Sequence, residues 1–478
     1  MGVFKSLRKK VGISNESKDA KKHKQPLQFA QFTYEQATQN VEKINRTVEL
    51  MFGTSLLLRK QVKKNDVFSL FHREEIQVGR CLGSGGFSDV YEIEAFACGS
   101  GSRSMPHTWT DCQDFSRRFY ADTAKRDSGE SRYVIKHLKP KMMEDQFRFQ
   151  MAAADLVVEA QFLSSFDHPH ILKLRGWSGE GTNSFKDGAH DSYFLILDRL
   201  HGTLDDKIEE WKKEEKRDRC RRRKSKRTRN EIYTERVKGA YQIASAIDYL
   251  HDKGIIYRDL KPNNIGVDVD GNMKLFDFGL AREIPHGNDD DVFVMSGTIG
   301  TRRYMSPEVA LAKEYNLKAD VYSWACNFYE IMVLEKPYAM FSPEMHLDLC
   351  CRHGDRPKVP SDLPEHIEIL LEMGWAHDLK VRLTMKEVVE ALKSILRELS
   401  HDEGAVAIRE RDRRSVVLEL PPNFSASSRA ILNQDLVKEA VKDGSVLTSG
   451  TLESHTECLS NESLLPDKVA SGSVMPTA

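Results

Sequence analysis

The chain has 478 residues, with 71 Lys and Arg against 72 Asp and Glu and a formal net charge of −1. That length accommodates a two-lobed domain of about 300 residues with extensions on both sides. The balanced charge excludes a global field that would select nucleic acid or membrane, so any such partner must come from a local cluster. No apolar run approaches the length of a membrane span, and the N-terminus lacks the apolar core of a signal peptide. The eight cysteines contain no CxxC pair, and Cys350 and Cys351 are adjacent, too close for an ordinary bridge. Reduced thiols in a cytosolic or nuclear protein follow, so Asn45-Arg46-Thr47 fits the glycosylation pattern by accident.

Met1-Gly2-Val3-Phe4-Lys5-Ser6 fits the myristoylation pattern, and Lys5, Arg8, Lys9 and Lys10 supply the basic patch that a single acyl chain needs for stable membrane contact. A disordered basic terminus is the equal alternative. From Tyr34 the apolar residues Ala37, Val41, Ile44, Val48 and Met51 recur at steps of three and four. This predicts an amphipathic helix with a narrow stripe, packed against its own domain in preference to a coiled-coil partner.

Ile76 to Leu82 alternates like a strand and leads into Gly83-Ser84-Gly85-Gly86-Phe87-Ser88-Asp89-Val90, a glycine-rich loop whose amides can close over phosphates. Between Glu94 and Arg132 the chain is rich in Gly, Ser, Arg and Asp and reads as an inserted mobile loop. Tyr133-Val134-Ile135-Lys136 follows, then Asp155 to Leu163, where Leu156, Phe162 and Leu163 can share a helical face with Glu159 near it. Tyr193 to Leu197 is an apolar strand that ends at Asp198. Lys212 to Arg229 holds twelve Lys or Arg against three acids. A solvated, disordered face is the plain reading of that run; nuclear import, capture of acidic substrates and contact with nucleic acid or lipid headgroups divide the remainder. Its few aromatics argue against a base-stacking site.

Ile232 to Asp252 has helical periodicity and stops at Gly254, which delivers the chain to Tyr257-Arg258-Asp259-Leu260-Lys261-Pro262-Asn263-Asn264. A second acid follows in Asp277-Phe278-Gly279. Two acids and an amide at this spacing suit phosphoryl transfer. Asp259 can accept a hydroxyl proton, Asn264 and Asp277 are hard oxygen ligands for magnesium, and Lys261 can sit against developing charge. Asp270-Gly271 supplies the turn of a hairpin that carries both metal ligands on one rigid unit. Beyond Leu399 the periodicity fades and Ser, Asp, Glu and Gly dominate, so a disordered tail is expected.

Taken together, these motifs resemble the catalytic core of a eukaryotic protein kinase over residues 74 to 399. The resemblance implies an α+β bilobal fold: an antiparallel β-sheet N-lobe (74–197) with the helix the family calls αC, and a mainly helical C-lobe (198–399). The expected insertions are 94–132 and 205–230, flanked by an N-terminal extension (1–70) and a tail (400–478). It further implies Mg-ATP as the phosphoryl donor. Leu82, Gly83, Ser84, Gly85, Gly86, Val90 and Val134 would surround the nucleotide, with Lys136 on its phosphates and Glu159 as the ion-pair partner of Lys136. Leu197 would be the gatekeeper and Asp198 would begin the hinge. Asp259 and Lys261 become catalytic, and Asn264 and Asp277 hold the metal. Lys261 and Thr301 resemble the serine/threonine pattern, with protein Ser and Thr hydroxyls as substrates; the segment around Thr301 loosely resembles tyrosine-kinase-like and kinase-cascade enzymes. Arg258 would await a phosphate placed on Ser296 or Thr298 by an upstream kinase. Glu308 would pair with Arg382, and Asp320 would hold the catalytic-loop backbone. Four residues differ from the common family pattern: Ser88 stands where a third glycine is usual, Val134 and Ser306 where alanine is usual, and Tyr257 where histidine is usual.

Overall fold

The computed structural model describes residues 32–52, 55, 68–97, 111–219, 228–285, 287 and 290–402. The expectations for Gly2 and its basic patch and for most of the C-terminal tail therefore lie outside the described residues.

The first element is helix α1 (Tyr34–Phe52); of the stripe read from the sequence Ala37, Val41, Ile44 and Val48 are buried, whereas Met51 is half-buried and Phe52 completes the buried row. It packs on the long helix of the N-lobe, as an intramolecular helix should.

Strands β1 (Ser69–Phe71), β2 (Ile76–Ser84) and β3 (Ser88–Phe96) open the N-lobe. Next come helix α2 (Asp111–Asp122), strand β4 (Tyr133–Leu138), helix α3 (Gln146–Ser165), and strands β5 (Leu174–Ser178) and β6 (Phe194–Asp198). The sheet has six strands in the order β1-β5-β6-β4-β3-β2. Five are joined antiparallel, as the resemblance implies; β1 is an addition, paired parallel to β5. The stretch 94–132, expected as a mobile loop, contains an ordered helix. Tyr120 and Ala121 of α2 pack on a core of Phe71, Phe96, Tyr133 and Ile135. Arg117, almost fully buried, is ion-paired to Glu75 and lies 5.6 Å from the centre of the Phe71 ring. Apolar burial against the sheet, together with this paired guanidinium, outweighs the loop-like composition.

Strand β7 (Gly202–Thr203) leads into helix α4 (Leu204–Arg219). This corrects the expectation for the basic run: Lys212 to Arg219 is the end of a helix, and 220–227 lie outside the described residues. Trp211 anchors that helix: it is fully buried, its indole N–H donates to Glu235 Oε2 at 2.9 Å, and Lys207 and Arg236 flank its ring. Helix α5 (Arg229–His251) starts on a capping box, with the Thr228 side chain accepting from the Glu231 amide and the Glu231 carboxylate accepting from the Thr228 amide.

Short strands β8 (Ile255–Ile256), β9 (Ile265–Val267), β10 (Met273–Leu275) and β11 (Arg282–Glu283) carry the loops between them. Helix α6 (Lys318–Val333) is buried from Lys318 to Met332 and forms the axis of the C-lobe. Helices α7 (Glu365–Gly374) and α8 (Met385–Asp402) pack around α6 and α5, respectively. Among the described residues no helix is long and apolar enough to cross a membrane.

Candidate active site

The loop after β8 is held in a conformation the chain would not choose alone. Arg258 has φ 70° and Asp277 has φ 67°, both in the left-handed region. The carboxylate of Asp320, fully buried at the start of α6, holds this backbone by accepting from the amides of Tyr257 and Arg258, each at 2.8 Å. Its Oδ2 also meets His251 Nε2 at 2.9 Å. The role expected of Asp320 is thus visible in its bonds. Tyr257, where the family usually has histidine, is buried and donates its hydroxyl to the carbonyl of Phe276, stitching this loop to the next.

Asp259 is surrounded by donors. Its Oδ1 accepts from the amide of Thr301 at 2.9 Å and from the Thr301 hydroxyl at 2.8 Å. Its Oδ2 accepts from Lys261 Nζ at 2.5 Å and from Asn264 Nδ2 at 3.0 Å. Lys261 also reaches the Thr301 hydroxyl at 3.0 Å. The close approach of the two segments depends on Gly300, which has φ 98° and whose missing Cβ would lie 2.4 Å from the Arg258 carbonyl oxygen. Asn264 donates twice through Nδ2, to the backbone and the side chain of Asp259. Its Oδ1 is therefore the atom left to ligate a cation.

Across the cleft, Lys136 Nζ meets Glu159 Oε2 at 2.5 Å, joining β4 to α3. Burial works against the Lys136 ammonium, but the carboxylates of Glu159 and Asp277 outweigh it and hold its pKa above the ordinary lysine value. On α3, burial pushes the Asp155 carboxyl up to about 6, and Asp277 adds to the effect. Leu82 and residues Gly83, Ser84, Gly85 and Gly86 lie exposed at the β2–β3 turn, Val90 is half-buried behind them, and Val134 is buried in β4 opposite Leu197.

The segment after Leu197 is held by both side-chain and backbone bonds. The Asp198 carboxylate forms a two-pronged pair with Arg175 of β5 at 2.7 and 2.8 Å, and its amide donates to the Lys173 carbonyl. Its side chain is thus structural. The amides of Arg199 and His201 are bonded to Arg132 and Val267, respectively; that of Leu200 takes part in none of these bonds. The Leu200 side chain packs onto the backbone of Gly266 in β9, so closely that a Cβ there would lie 2.3 Å from its Cδ1.

Arg175, Leu200, Gly266 and Lys139 were not singled out from sequence. Lys139 ties down the glycine-rich loop, its Nζ donating to the Gly85 carbonyl at 2.5 Å and standing 3.6 Å from Asp89. A lysine three residues beyond Lys136 was the available signal.

In the activation region, Glu308 and Arg382 form the expected pair, two-pronged and buried, with N–O distances of 2.6 and 3.1 Å. Burial raises the Glu308 pKa, but the Arg382 guanidinium outweighs it and holds the carboxyl below its ordinary value. Arg258 donates to the Leu280 carbonyl and the Tyr315 hydroxyl, both neutral, and the Tyr315 hydroxyl donates to the carbonyl of Ser296. Burial and then the neighbouring Arg258 lower the pKa of Arg282. Asp290, earlier in the same segment, is paired with Lys318 at 2.9 Å.

Among the described residues no group of three or more His, Cys, Asp and Glu could hold a metal by itself. The pair of hard oxygens on Asn264 and Asp277 fits magnesium, which keeps most of its shell as water and phosphate and takes only one or two protein ligands.

The family model of the protein kinase domain matches residues 121–392. Serine/threonine-protein kinases STY17 and STY46 of Arabidopsis thaliana are 35% and 34% identical to this chain over 167 and 165 residues, which is 35% and 34% of this chain and 28% of each relative. Dual specificity protein kinase shkE of Dictyostelium discoideum is 34% identical over 164 residues, 34% of this chain and 23% of the relative. The chain thus spans about a quarter of the length of these relatives. With the lysine–glutamate pair, the aspartate-centred loop and the buried Glu308–Arg382 pair assembled in one bilobal fold, this chain belongs to the protein kinase domain family.

Proposed function

We propose that this chain is a serine/threonine protein kinase that transfers the γ-phosphoryl group of Mg-ATP to protein hydroxyls. The observation that carries the reading is the cluster at Asp259, whose carboxylate is bracketed by Lys261, Asn264 and Thr301. A carboxylate so oriented is set to accept the proton of an incoming hydroxyl, and Lys261 is set to meet the charge that develops on the transferred group. The Lys261–Thr301 contact joins the two residues that resemble the serine/threonine pattern. Magnesium bound by Asn264 and Asp277 would neutralise phosphate charge. Lys136, fixed by Glu159, would clamp the other phosphates, and the hinge from Asp198 to Leu200 would meet the base. Arg258, whose acceptors among the described residues are neutral, supports control by a phosphate on the activation segment.

The test is phosphoamino-acid analysis of peptide-array products made by the purified full-length protein with Mg-ATP. Phosphoserine and phosphothreonine are expected, and Asp259→Asn is expected to abolish transfer. Predominant phosphotyrosine would overturn the serine/threonine assignment, and equal transfer by wild type and Asp259→Asn would overturn the catalytic one.

A further inference from the structure

Helix α1 lies outside residues 121–392, yet its contacts run into the centre of the machinery. Its only fully buried polar residue, Asn40, accepts at Oδ1 from both Gln146 Nε2 (2.8 Å) and Gln150 Nε2 (2.7 Å), two residues one turn apart on α3. The apolar row Ala37, Val41, Ile44 and Val48 runs alongside this clamp. At the N-terminal end Phe32 meets Phe149 at 5.1 Å, and at the C-terminal end Phe52 meets Phe162 edge-on at 5.0 Å. The aromatic contacts do not stop there. Phe162 stands 6.3 Å from Phe278, the residue after Asp277, and Phe278 stands 5.4 Å from Tyr257.

Glu159 sits on α3 between the clamp and the aromatic row, three residues before Phe162. The distance from Lys136 to Glu159 is therefore set by where α3 rests, and α1 covers the face of α3 that would otherwise meet water. We propose that α1 is a positioning element for catalysis, a brace that keeps α3 turned inward so that Glu159 stays on Lys136 and Phe278 stays under Asp277. Asn40, Ile44 and Phe52 act as positioning residues through α3. The inference rests on the proposed kinase reading for its effect on rate, while the mechanical link between the two helices stands independently of it.

The test uses the full-length chain carrying Ile44→Asp, which places a charge at a fully buried position and should release α1. Amide hydrogen exchange is followed over 34–52, 146–165 and 318–333, with steady-state kinetics alongside. The expected result is faster exchange in α1 and α3 with α6 unchanged. A fall in kcat of about tenfold or more should accompany it, since sub-ångström to ångström misplacement of reacting groups costs up to roughly a hundredfold. The KM for the peptide should stay put, and Phe52→Leu, which keeps the apolar bulk, should retain most of the rate that Phe52→Ala loses. Should Ile44→Asp also loosen α6, the milder Asn40→Leu and Phe52→Ala are judged by the same three readouts. Release of α1 with α3 still protected and kcat unchanged would overturn the proposal. A wild-type protein that transfers no phosphate would defeat the kinase reading alone, because coupled exchange in α1 and α3 would still decide the mechanical link.

Discussion

On the proposed nucleotide-binding reading, Gly266 offers a test of how the segment after Leu197 is set. Its φ is one that alanine adopts, so Gly266→Ala adds a methyl group and little else. That methyl group would lie 2.3 Å from Leu200 Cδ1 and 3.0 Å from its Cγ, against an ordinary contact of about 3.5–4.0 Å. Relief of more than 1 Å is needed, and Leu200 is the side chain that can move. Overpacking of this kind costs about 1–3 kcal/mol. Swinging Leu200 outward relaxes the free protein, but a nucleotide bound as proposed would need the Leu200 amide back in place. The strain should therefore appear in nucleotide affinity, as a rise in the dissociation constant for ATP of roughly 5- to 150-fold. Asp259, Thr301 and Lys261 are untouched, so kcat at saturating ATP should hold. Leu200→Ala removes the obstructing carbons, and the double variant should recover much of the affinity, a non-additivity expected of residues in contact. Calorimetric titration with ATP and a KM–kcat comparison decide the matter. Wild-type affinity in Gly266→Ala, or no recovery in the double variant, would refute the reasoning.

Other consequences are equally open to measurement. Arg382→Met strands the buried Glu308 carboxylate and should cost about 3–5 kcal/mol in chemical denaturation; adding Glu308→Gln should return part of it. His346 is buried, and burial first, then Arg303 and Arg302, depress its pKa to about 4. Because the unfolded chain protonates this histidine near pH 6.5, the unfolded state binds the extra proton between pH 6.5 and 4, and stability falls as pH falls through that window. The loss between pH 7 and 5 should be about 2 kcal/mol, and should shrink in His346→Phe if the other histidines behave alike in both proteins. Finally, phosphosite mapping of active protein should find phosphate on Ser296 in preference to Thr298. The Ser296 carbonyl is already joined through Tyr315 to Arg258, whereas the Thr298 amide is bonded to Val309. Full activity in the Ser296→Ala, Thr298→Ala double variant would exclude phosphate control at these positions.

What could be read from the sequence was whatever depends on neighbours along the chain. The stripe of α1 follows from its own period, and the loop from Tyr257 to Asn264 packs its donors and acceptors within eight positions. Long-range partners were accessible only where a family pattern supplied them, as for Glu308 with Arg382 and Asp320 with the loop. Asn40 was missed because a polar residue in a helical period reads as outward-facing, and only the two glutamines of α3 make its burial tolerable. Helix α2 was missed for a related reason: its order comes from the sheet beneath Tyr120 and from Glu75 opposite Arg117, neither of which leaves a local trace. Leu200 and Gly266 lie 66 positions apart by their numbering, and nothing in either segment announces the other.

The outermost strand of the N-lobe has a practical bearing. Ser69–Phe71 lies against β5 in register with Gly176, Trp177 and Ser178, and the Phe71 carbonyl also receives the Gly179 amide. It therefore occupies the row of main-chain groups that β5 would otherwise present to solvent, and an unoccupied row of that kind templates association with other chains. A fragment beginning at residue 74 would uncover it, and one beginning at residue 121 would in addition lose β2, β3 and most of α2. Fragments cut at either point should self-associate on concentration, whereas one that starts ahead of Tyr34 keeps both the seal on the sheet and the helix on α3.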